Sequence, residues 1–505
     1  MNLKNNDYQS ILQKLKVVFW KRPLFFIILF SVIFRLAYLL FNLPLWWDSH
    51  VYIGMAKYIF SAGQLGIWEI FRPLLHSIIL GLFWKIGLNV IIIGKLLDIL
   101  FSVLAIYLTY KIGKEIFNEK IALLGTILFS FNSLFLMFNG LILTEPLAIF
   151  LGLMGTFLFI KISKNKSAEI STDISTNKKK EYLLLLFSGL FLGLSFMSKF
   201  PMGIIFAAAG ISLLFKRTNL FNKIREGLIL LFGFLIPVIP YLIFNHYKYQ
   251  NILLPFTEGS QIVTTATWAY GSGILYYFIH FFLAYPLFLF FFVYCYEFIK
   301  NKHWKDYRKL ILLLIPLLVL IYFIYVPRKE IRYLVLIIPF ISILSAYSII
   351  KTYHYLKNHA QPLIWPKAFI IICTIAIIVY FLPVFGFENI PTMQKEVQET
   401  IQNYNIKGTI LSSDPSLVSY VDNPLTILSA GMWYGPQIYE QNKHNYDLLF
   451  INDCDFICAP EDNQCVKERE GFFNIIIAEN KALASSEYKN CTKTIYLPLK
   501  QSIIN

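Results

Sequence analysis

The feature that most restricts the fold of this chain is a series of apolar runs separated by short polar loops. A helix of about 20 apolar residues crosses the hydrocarbon core of a bilayer. The 505 residues are 57% hydrophobic and 15% charged, whereas soluble domains average about 45–50% apolar and about 25% charged residues. We therefore predict an all-α polytopic membrane protein with about eleven transmembrane helices. These lie near residues 24–41, 90–110, 121–138, 145–160, 182–198, 201–215, 227–245, 273–299, 310–326, 331–350 and 368–385.

Charge is distributed unevenly along the chain and predicts its orientation. Residues 386–505 carry 9 basic and 15 acidic side chains, a net charge of −6, so the remainder carries +21. With the N-terminus inside, six inner segments hold 26 of the 45 Lys and Arg residues, and the outer segments before residue 386 hold 8. Basic residues favour cytoplasmic loops, so their excess indicates orientation and not nucleic-acid binding. We predict a multi-pass protein of the cell membrane, with residues 1–23 as a cytoplasmic N-terminus and the first span as a retained signal-anchor.

The first predicted outer loop, residues 42–89, concentrates ionisable side chains at the membrane surface. Its stretch from Leu74 to Gly87 is apolar but only 14 residues long, which favours an interfacial helix over a spanning one. Ionisable groups are costly beside hydrocarbon, so a dense cluster indicates a site, although a solvated loop without chemistry has the same composition. The candidates are Asp48, His50, Tyr52, Glu69, Arg72 and His76.

Three further polar groups fall on the predicted outer side. Glu145 opens a helix in NGLILTEPL, and Lys199 lies in the tight turn MSKFPMG. The segment YVPRKEIRYLVLIIPF precedes a late helix; its bases are either part of a site for an anionic headgroup or a snorkelling interfacial belt. The candidates in this late segment are Arg328, Lys329, Arg332 and Tyr333.

Within the membrane, Lys95 and Asp98 lie three residues apart on one helix and are predicted to neutralise one another.

The order of these motifs resembles that of the GT-C glycosyltransferases, in the branch of the protein O-mannosyltransferases and aminoarabinose transferases. The matching features are Asp48 after the first span, Arg72-Pro73 closing the loop, Glu145 opening a helix, the turn residue Lys199, and Arg332-Tyr333. The stretch GIWEIFRPLLHS is also similar to mannosyltransferases of lipid-linked glycan and GPI assembly. The resemblance covers residues 24–385.

The chain departs from the family pattern at two of these motifs. The family often has a paired acid after the first span, where this chain has Asp48-Ser49, so a divalent metal stays an open alternative that no acidic pair supports. The closing motif is often basic-Pro-Pro, and here it is Arg72-Pro73-Leu74, which leaves the donor contacts of that loop open.

The resemblance implies transfer of a sugar, such as a mannose-like hexose, from a polyprenyl- or dolichyl-phosphate carrier to a hydroxyl of a protein or glycan acceptor. We predict Asp48 as the general base of an inverting reaction, with Glu145 as its partner or as a ligand of a sugar hydroxyl. The phosphate leaving group needs positive charge. The side chains predicted to supply it are Arg72, Lys199, Arg328, Lys329 and Arg332, and His50, Tyr52, Glu69, His76 and Tyr333 are secondary substrate contacts.

Residues 386–505 differ in composition from the rest of the chain and predict a small extracytoplasmic α/β domain. The segment TMQKEVQETIQNY predicts a helix, and the runs GTILSS, PLTILSA, DLLFIND, FNIIIAE and TIYLPL predict strands. This tail holds four cysteines, which favour two disulfides of undetermined pairing over a zinc site. They are Cys454, Cys458, Cys465 and Cys491. Acceptor binding or gating of the site is the role we expect for this domain.

Two other classes of function are compatible with the composition. A transporter usually carries polar residues in broken helices at the membrane midplane, often in repeated halves, whereas here they lie at one edge and no repeat is evident. A scaffold presenting the C-terminal domain on a membrane base would not require the outer acids and bases to converge. Convergence of Asp48, Glu145 and the arginines is therefore the structural expectation that separates the enzyme from the alternatives.

Overall fold

The computed structural model describes residues 22–40, 44–162, 174–264, 267–359, 364–379, 393–428, 432 and 434–499. The predicted N-terminal segment 1–23 and the domain boundary near residue 386 fall almost entirely outside these ranges. The α-helices are α1 (Pro23–Leu39), α2 (Trp47–Phe60), α3 (Leu75–Lys85), α4 (Val90–Ile116), α5 (Glu119–Ser130), α6 (Ser133–Met137), α7 (Thr144–Lys161), α8 (Ile174–Ser198), α9 (Gly203–Leu214), α10 (Leu220–Tyr249), α11 (Leu254–Ile262), α12 (Phe290–Lys300), α13 (Tyr307–Tyr325), α14 (Ile338–His359), α15 (Ile364–Val379), α16 (Gln394–Asn403), α17 (Gly435–Asn442) and α18 (Asn463–Glu479).

Six helical segments of the described chain are long and apolar enough to cross a membrane, which confirms a multi-pass membrane protein. Shorter apolar helices accompany them, so the count of eleven spans stays a prediction. At about 1.5 Å per residue, the 11 residues of α3 reach about 16 Å, roughly half of the hydrocarbon core. This length fits the interfacial helix that the sequence predicts. The six segments are Val90–Ile116, Thr144–Lys161, Lys178–Ser198, Leu220–Tyr249, Tyr307–Tyr325 and Ile331–His359.

The predicted continuous span 273–299 is wrong. Its residues form a π-helical turn at Phe278–Leu283, a 3-10 helix at Pro286–Leu289 and only then α12. The break falls at Pro286, because proline has no N–H for the helical ladder and disfavours a helical conformation in the residue before it. The predicted span 121–138 is likewise divided, and the side chain of Asn132 accepts a hydrogen bond from the Phe135 N–H at the start of α6.

Close packing of α8 against α10 holds one side of the bundle together. A side-chain carbon at Gly189 would lie 2.1 Å from the Leu230 carbonyl oxygen, and one at Gly193 would lie 2.4 Å from that of Phe234. Both positions therefore accept only glycine at this separation, as small residues do where membrane helices approach closely.

The C-terminal part forms the predicted α/β domain. Its five strands have the order β2-β1-β3-β5-β4, with β1 parallel to β2 and β3, and β5 antiparallel to β3 and β4. The run FNIIIAE is not a strand but the end of α18, and the strand that follows it, β4, was not predicted. The strands are β1 (Ile410–Ser412), β2 (Leu425–Ile427), β3 (Leu448–Asn452), β4 (Asn480–Tyr488) and β5 (Cys491–Pro498).

Two disulfides close loops at one end of this domain. Cys454 pairs with Cys491, and Cys458 pairs with Cys465. The two-disulfide interpretation is therefore confirmed against the zinc alternative, and the pairing that the sequence left open is resolved.

The domain packs directly on α2, the helix that begins the first loop. Val51 and Met55 enter one apolar core with the domain residues Leu417 and Val418. Polar contacts border this core: His50 Nδ1 lies 2.7 Å from Ser419 Oγ, and Lys57 Nζ lies 2.8 Å from Asp422 Oδ1. One face of α2 thus supports the domain, and its first turn is left to form the site.

Candidate active site

Asp48 lies in the first turn of α2, where it is held by two arginines. Its Oδ1 accepts a hydrogen bond of 2.7 Å from Arg72 Nη2, and its Oδ2 accepts one of 2.8 Å from Arg332 Nη1. Arg332 is 284 residues distant in the chain. The three side chains are 16–18% exposed, so a ligand can reach the cluster from solvent.

The arginines determine the protonation of Asp48. Burial raises the pKa of a carboxyl group, but the positive charges and hydrogen bonds of Arg72 and Arg332 outweigh it and hold the pKa of Asp48 well below its usual range. Asp48 is therefore ionised at neutral pH. While both arginines bond to it, it is a weak proton acceptor.

Arg72 is fixed by a second carboxylate and by aromatic rings. Its Nε donates a hydrogen bond of 2.8 Å to Glu69 Oε2, and its guanidinium carbon lies 5.5 Å from the ring centre of Tyr52 and 5.1 Å from that of Phe71. Burial lowers the pKa of Arg72, but Asp48 and Glu69 raise it well above the ordinary value. The guanidinium is thus permanently charged and rigidly oriented.

Glu330 organises the late segment and is absent from the residues that the sequence singled out. Its Oε1 accepts hydrogen bonds from Arg328 Nε at 2.6 Å and from Tyr333 Oη at 2.8 Å. Its Oε2 lies 2.5 Å from Arg332 Nε, so it is an ion-pair partner of both arginines. The signal was present in the sequence, because an acid between bases in RKEIR is placed to neutralise them.

Glu145 and Lys199 form a second ion pair. Lys199 Nζ donates a hydrogen bond of 2.7 Å to Glu145 Oε1, and the Glu145 side chain is only 2% exposed. Both groups act electrostatically on Tyr52: burial raises the pKa of its phenol, Arg72 and Lys199 lower it, and Asp48 and Glu145 raise it. Tyr52 therefore lies within the field of both ion-pair clusters.

Lys329 and His50 direct their polar atoms away from the cluster, whereas His76 contacts Tyr52 through its ring. Lys329 donates to the main-chain carbonyls of Phe323, Ile324 and Val326 at the end of α13. His50 contacts Ser419 of the C-terminal domain, and burial lowers its pKa to about 3. His76 packs edge-on against the ring of Tyr52 at 5.4 Å.

The donor atoms of the cluster do not match a divalent metal site. Both oxygens of Asp48 accept guanidinium hydrogen bonds, and Glu145 is paired with Lys199. Within the described residues, one group of three potential ligands lies close together, Asp453 with Cys454 and Cys491. These two cysteines form a disulfide and offer no thiolate.

The chain is similar to a known family in part of its sequence and to solved structures in its fold. The sequence profile of the family described as dolichyl-phosphate-mannose-protein mannosyltransferase (PMT) matches residues 71–254. The crystal structure of ArnT from Cupriavidus metallidurans bound to undecaprenyl phosphate aligns with a TM-score of 0.60 at 10% identity, covering 94% of this chain and 98% of that chain. This chain has the GT-C glycosyltransferase fold. The resemblance that the motifs indicated is thereby confirmed.

Two structures of the archaeal oligosaccharyltransferase from Archaeoglobus fulgidus share the GT-C fold. One, tethered with an acceptor peptide, has a TM-score of 0.55 at 11% identity and covers 86% of this chain and 70% of that chain. The other, AglB with an inhibitory peptide and a dolichol-phosphate, has a TM-score of 0.54 at 11% identity and covers 94% and 74%. No curated protein sequence matches the chain.

The PMT profile covers only part of the cluster. Residues 71–254 include Arg72, Glu145 and Lys199, whereas Asp48 and Arg332 lie on either side of the matched range. The tertiary fold brings these two residues to Arg72.

Proposed function

We propose that this protein transfers a sugar from a polyprenyl-phosphate carrier to a hydroxyl group of a protein or glycan acceptor. The observation that carries the proposal is the convergence of Asp48, Arg72 and Arg332 from distant segments into one partly accessible cluster. The PMT profile and the GT-C fold support a glycosyltransferase, and a scaffold has no need of this convergence.

The carrier phosphate is proposed to bind at Arg72 and Arg332. A guanidinium offers a planar fork of donors that matches phosphate oxygens. Phosphate oxygens compete with the Asp48 carboxylate for these donors, while Glu69 and Glu330 keep the two guanidinium groups in position. The solved structures of ArnT and AglB contain undecaprenyl phosphate and a dolichol-phosphate, which is consistent with a lipid phosphate as donor.

The chemical step then follows from the loss of these hydrogen bonds. When phosphate takes the arginine donors, the basicity of Asp48 rises, and it can accept the proton of the acceptor hydroxyl. The hydroxyl oxygen bonds to the anomeric carbon as the bond from that carbon to the phosphate oxygen breaks. The electron pair leaves with the polyprenyl phosphate, whose negative charge the arginines stabilise. A single displacement of this kind inverts the configuration.

The second ion pair is proposed to orient the sugar. Glu145 is buried and bound to Lys199, so it is suited to accept hydrogen bonds from sugar hydroxyls and less suited to exchange protons with solvent. The PMT description favours a mannose-like hexose. The acceptor is expected to approach from the side of the C-terminal domain, which we propose to be extracytoplasmic in a cell-membrane protein whose N-terminus is cytoplasmic.

The test is a donor-binding and turnover experiment on the full-length protein in detergent. Polyprenyl-phosphate mannose, glucose and aminoarabinose are supplied, and bound and consumed donors are measured by mass spectrometry. Asp48→Asn is expected to retain the donor and to lower turnover by about 10²–10⁴-fold, the usual contribution of a general base.

The matched control is Glu119→Gln, which alters an exposed carboxylate paired with Lys114 away from the cluster. It should turn over donor at the wild-type rate. Wild-type turnover by Asp48→Asn would remove Asp48 from the mechanism, and no donor binding by folded protein would remove the proposed function.

A further inference from the structure

An apolar groove is lined in part by the loop that carries Arg72. Its volume is about 500 Å³, within the range of about 300–1,000 Å³ of ligand sites. Leu74 and Ile78 line one wall, and Met197, Pro237 and Phe244 line the other. The walls thus come from the first loop and from α8 and α10.

One basic side chain, Lys248, stands at the end of this groove. Its ammonium nitrogen lies 3.5 Å from the ring centre of Trp68 and 5.0 Å from that of Tyr58. Phe244 and Tyr249 complete the set of rings, at 5.6 and 5.9 Å. Trp68 Nε1 donates a hydrogen bond of 2.7 Å to Tyr249 Oη, so the rings hold one another in place.

Lys248 differs from the other basic residues on the predicted outer side. Arg72, Lys199 and Arg332 are paired with carboxylates. Lys85 donates to the carbonyl of Phe60. In the described part of the chain, no carboxylate lies within ion-pair distance of Lys248, and its contacts are aromatic rings. Aromatic rings attract a cation without neutralising it, so its charge remains available to an anion.

The groove has the length of one membrane leaflet. From Pro237 to Lys248 the wall runs along eleven residues of α10, about 16 Å at about 1.5 Å per residue. The hydrocarbon core is about 30 Å thick, so the groove extends over about half of it. An apolar channel of this length with a cation at one end is complementary to a lipid chain with an anionic head.

We propose that this groove is a binding site for an anionic phospholipid, with the phosphate on Lys248 and one acyl chain between α3 and α10. The site is separate from the Asp48 cluster, and the proposal does not depend on sugar transfer. The bound lipid packs against Trp68 and Leu74, which flank Glu69 and Arg72 in the chain, and so stabilises the loop that positions these two residues.

The proposal is tested by lipid retention measured with native mass spectrometry. Full-length protein in detergent is titrated with anionic phosphatidylglycerol and with zwitterionic phosphatidylcholine. A third titration uses glycerophosphoglycerol, which has the headgroup of phosphatidylglycerol but no acyl chains. We expect the wild type to retain phosphatidylglycerol at least about tenfold more strongly than phosphatidylcholine, and not to retain glycerophosphoglycerol.

Variants locate the binding in the groove. Lys248→Gln removes the charge at an exposed position and should weaken phosphatidylglycerol retention by about tenfold or more, whereas Lys85→Gln, the matched control, should not. Ile78→Trp fills the groove and should reduce retention of both lipids.

Two results would overturn the proposal. One is equal retention of phosphatidylglycerol by wild type and Lys248→Gln, and the other is equal retention of the two lipids by the wild type. If glycerophosphoglycerol bound as strongly as phosphatidylglycerol, the groove would not be the binding site of the acyl chain.

Discussion

Asp48 accepts hydrogen bonds from arginines that precede and follow most of the membrane bundle in the chain. One arginine would be enough to pair with this carboxylate, and Asp48 has two. Two guanidinium groups on one carboxylate leave a net positive cluster, which Glu69 and Glu330 balance from behind. An anion that enters between the arginines therefore meets strong donors that are already oriented.

Asp48 also links the stability of the protein to pH. Its folded-state pKa lies below the value of about 3.9 of an unfolded chain. Its stabilising contribution is therefore complete above about pH 4 and is lost as pH falls through the lower, folded-state pKa. We expect Asp48→Asn to melt at a lower temperature than wild type near pH 7, with a difference that narrows below about pH 4. Thermal unfolding of both proteins in detergent checks this; a difference independent of pH would contradict it.

Glu330 acts on the same cluster through Arg332. Glu330→Gln removes the charge that holds Arg332 and Arg328, so the guanidinium of Arg332 is less well oriented toward a phosphate. We expect the KM for the polyprenyl-phosphate sugar to rise about tenfold, the effect of one lost charged hydrogen bond, with a smaller change in kcat. Steady-state kinetics measure this, with Glu119→Gln as control. A loss confined to kcat would show that Glu330 acts on the chemical step instead.

At the scale of elements, the turn before α7 determines where Glu145 stands. Ile142 has a φ of +58°, a conformation that a β-branched residue rarely adopts. The carboxylate of Asp98 in α4 accepts the Ile142 N–H at 2.7 Å and so holds this turn. Asp98 therefore holds this turn, a role that the sequence did not indicate, and its neutralisation of Lys95 stays a prediction.

Two substitutions of Asp98 separate these roles. Asp98→Ala leaves the buried Ile142 N–H without its acceptor and should destabilise the protein by about 1–3 kcal/mol. Asp98→Asn keeps an acceptor oxygen and should retain most of that stability. Chemical or thermal unfolding in detergent provides the measurement. Equal losses in the two variants would mean that the negative charge, and not the hydrogen bond to the turn, is what matters.

At the scale of the whole molecule, one end of the bundle carries both the ion-pair cluster and the C-terminal domain. The contacts of α2 with Ser419 and Asp422 join the two parts. A domain seated on the helix that bears Asp48 is in a position to influence which acceptors reach it. The net charge of −6 in residues 386–505 also favours acceptors that are not strongly acidic.

The predicted orientation of the molecule can be checked with single cysteines. In a Cys295→Ser/Cys373→Ser background, Lys407→Cys lies in the C-terminal domain, and Lys120→Cys lies in the first turn of α5, on the predicted inner side. Both positions are exposed. A membrane-impermeant maleimide applied to intact cells should label the first variant, and the second only after lysis. The reverse pattern would invert the topology.

The sequence by itself determined the features that depend on local composition. Each apolar run enters the bilayer according to its own hydropathy and length, so the membrane bundle and the short helix α3 could be predicted from those two properties. The polar C-terminal domain followed in the same way, as did the presence of two disulfides. The sequence singled out Asp48, Arg72, Glu145, Lys199 and Arg332 as candidates because ionisable residues are rare beside apolar runs.

Tertiary structure decided which of these residues meet. Lys329 and Arg332 are three residues apart and equally basic, yet Lys329 bonds to the carbonyls at the end of α13, and Arg332 reaches Asp48. The run FNIIIAE has the composition of a strand, but it continues the helix that starts near the disulfide of Cys465. The pairing of Asp48 with Arg332 joins segments 284 residues apart, and the helix containing FNIIIAE packs on other segments of the C-terminal domain. That information is not present in any single stretch of sequence.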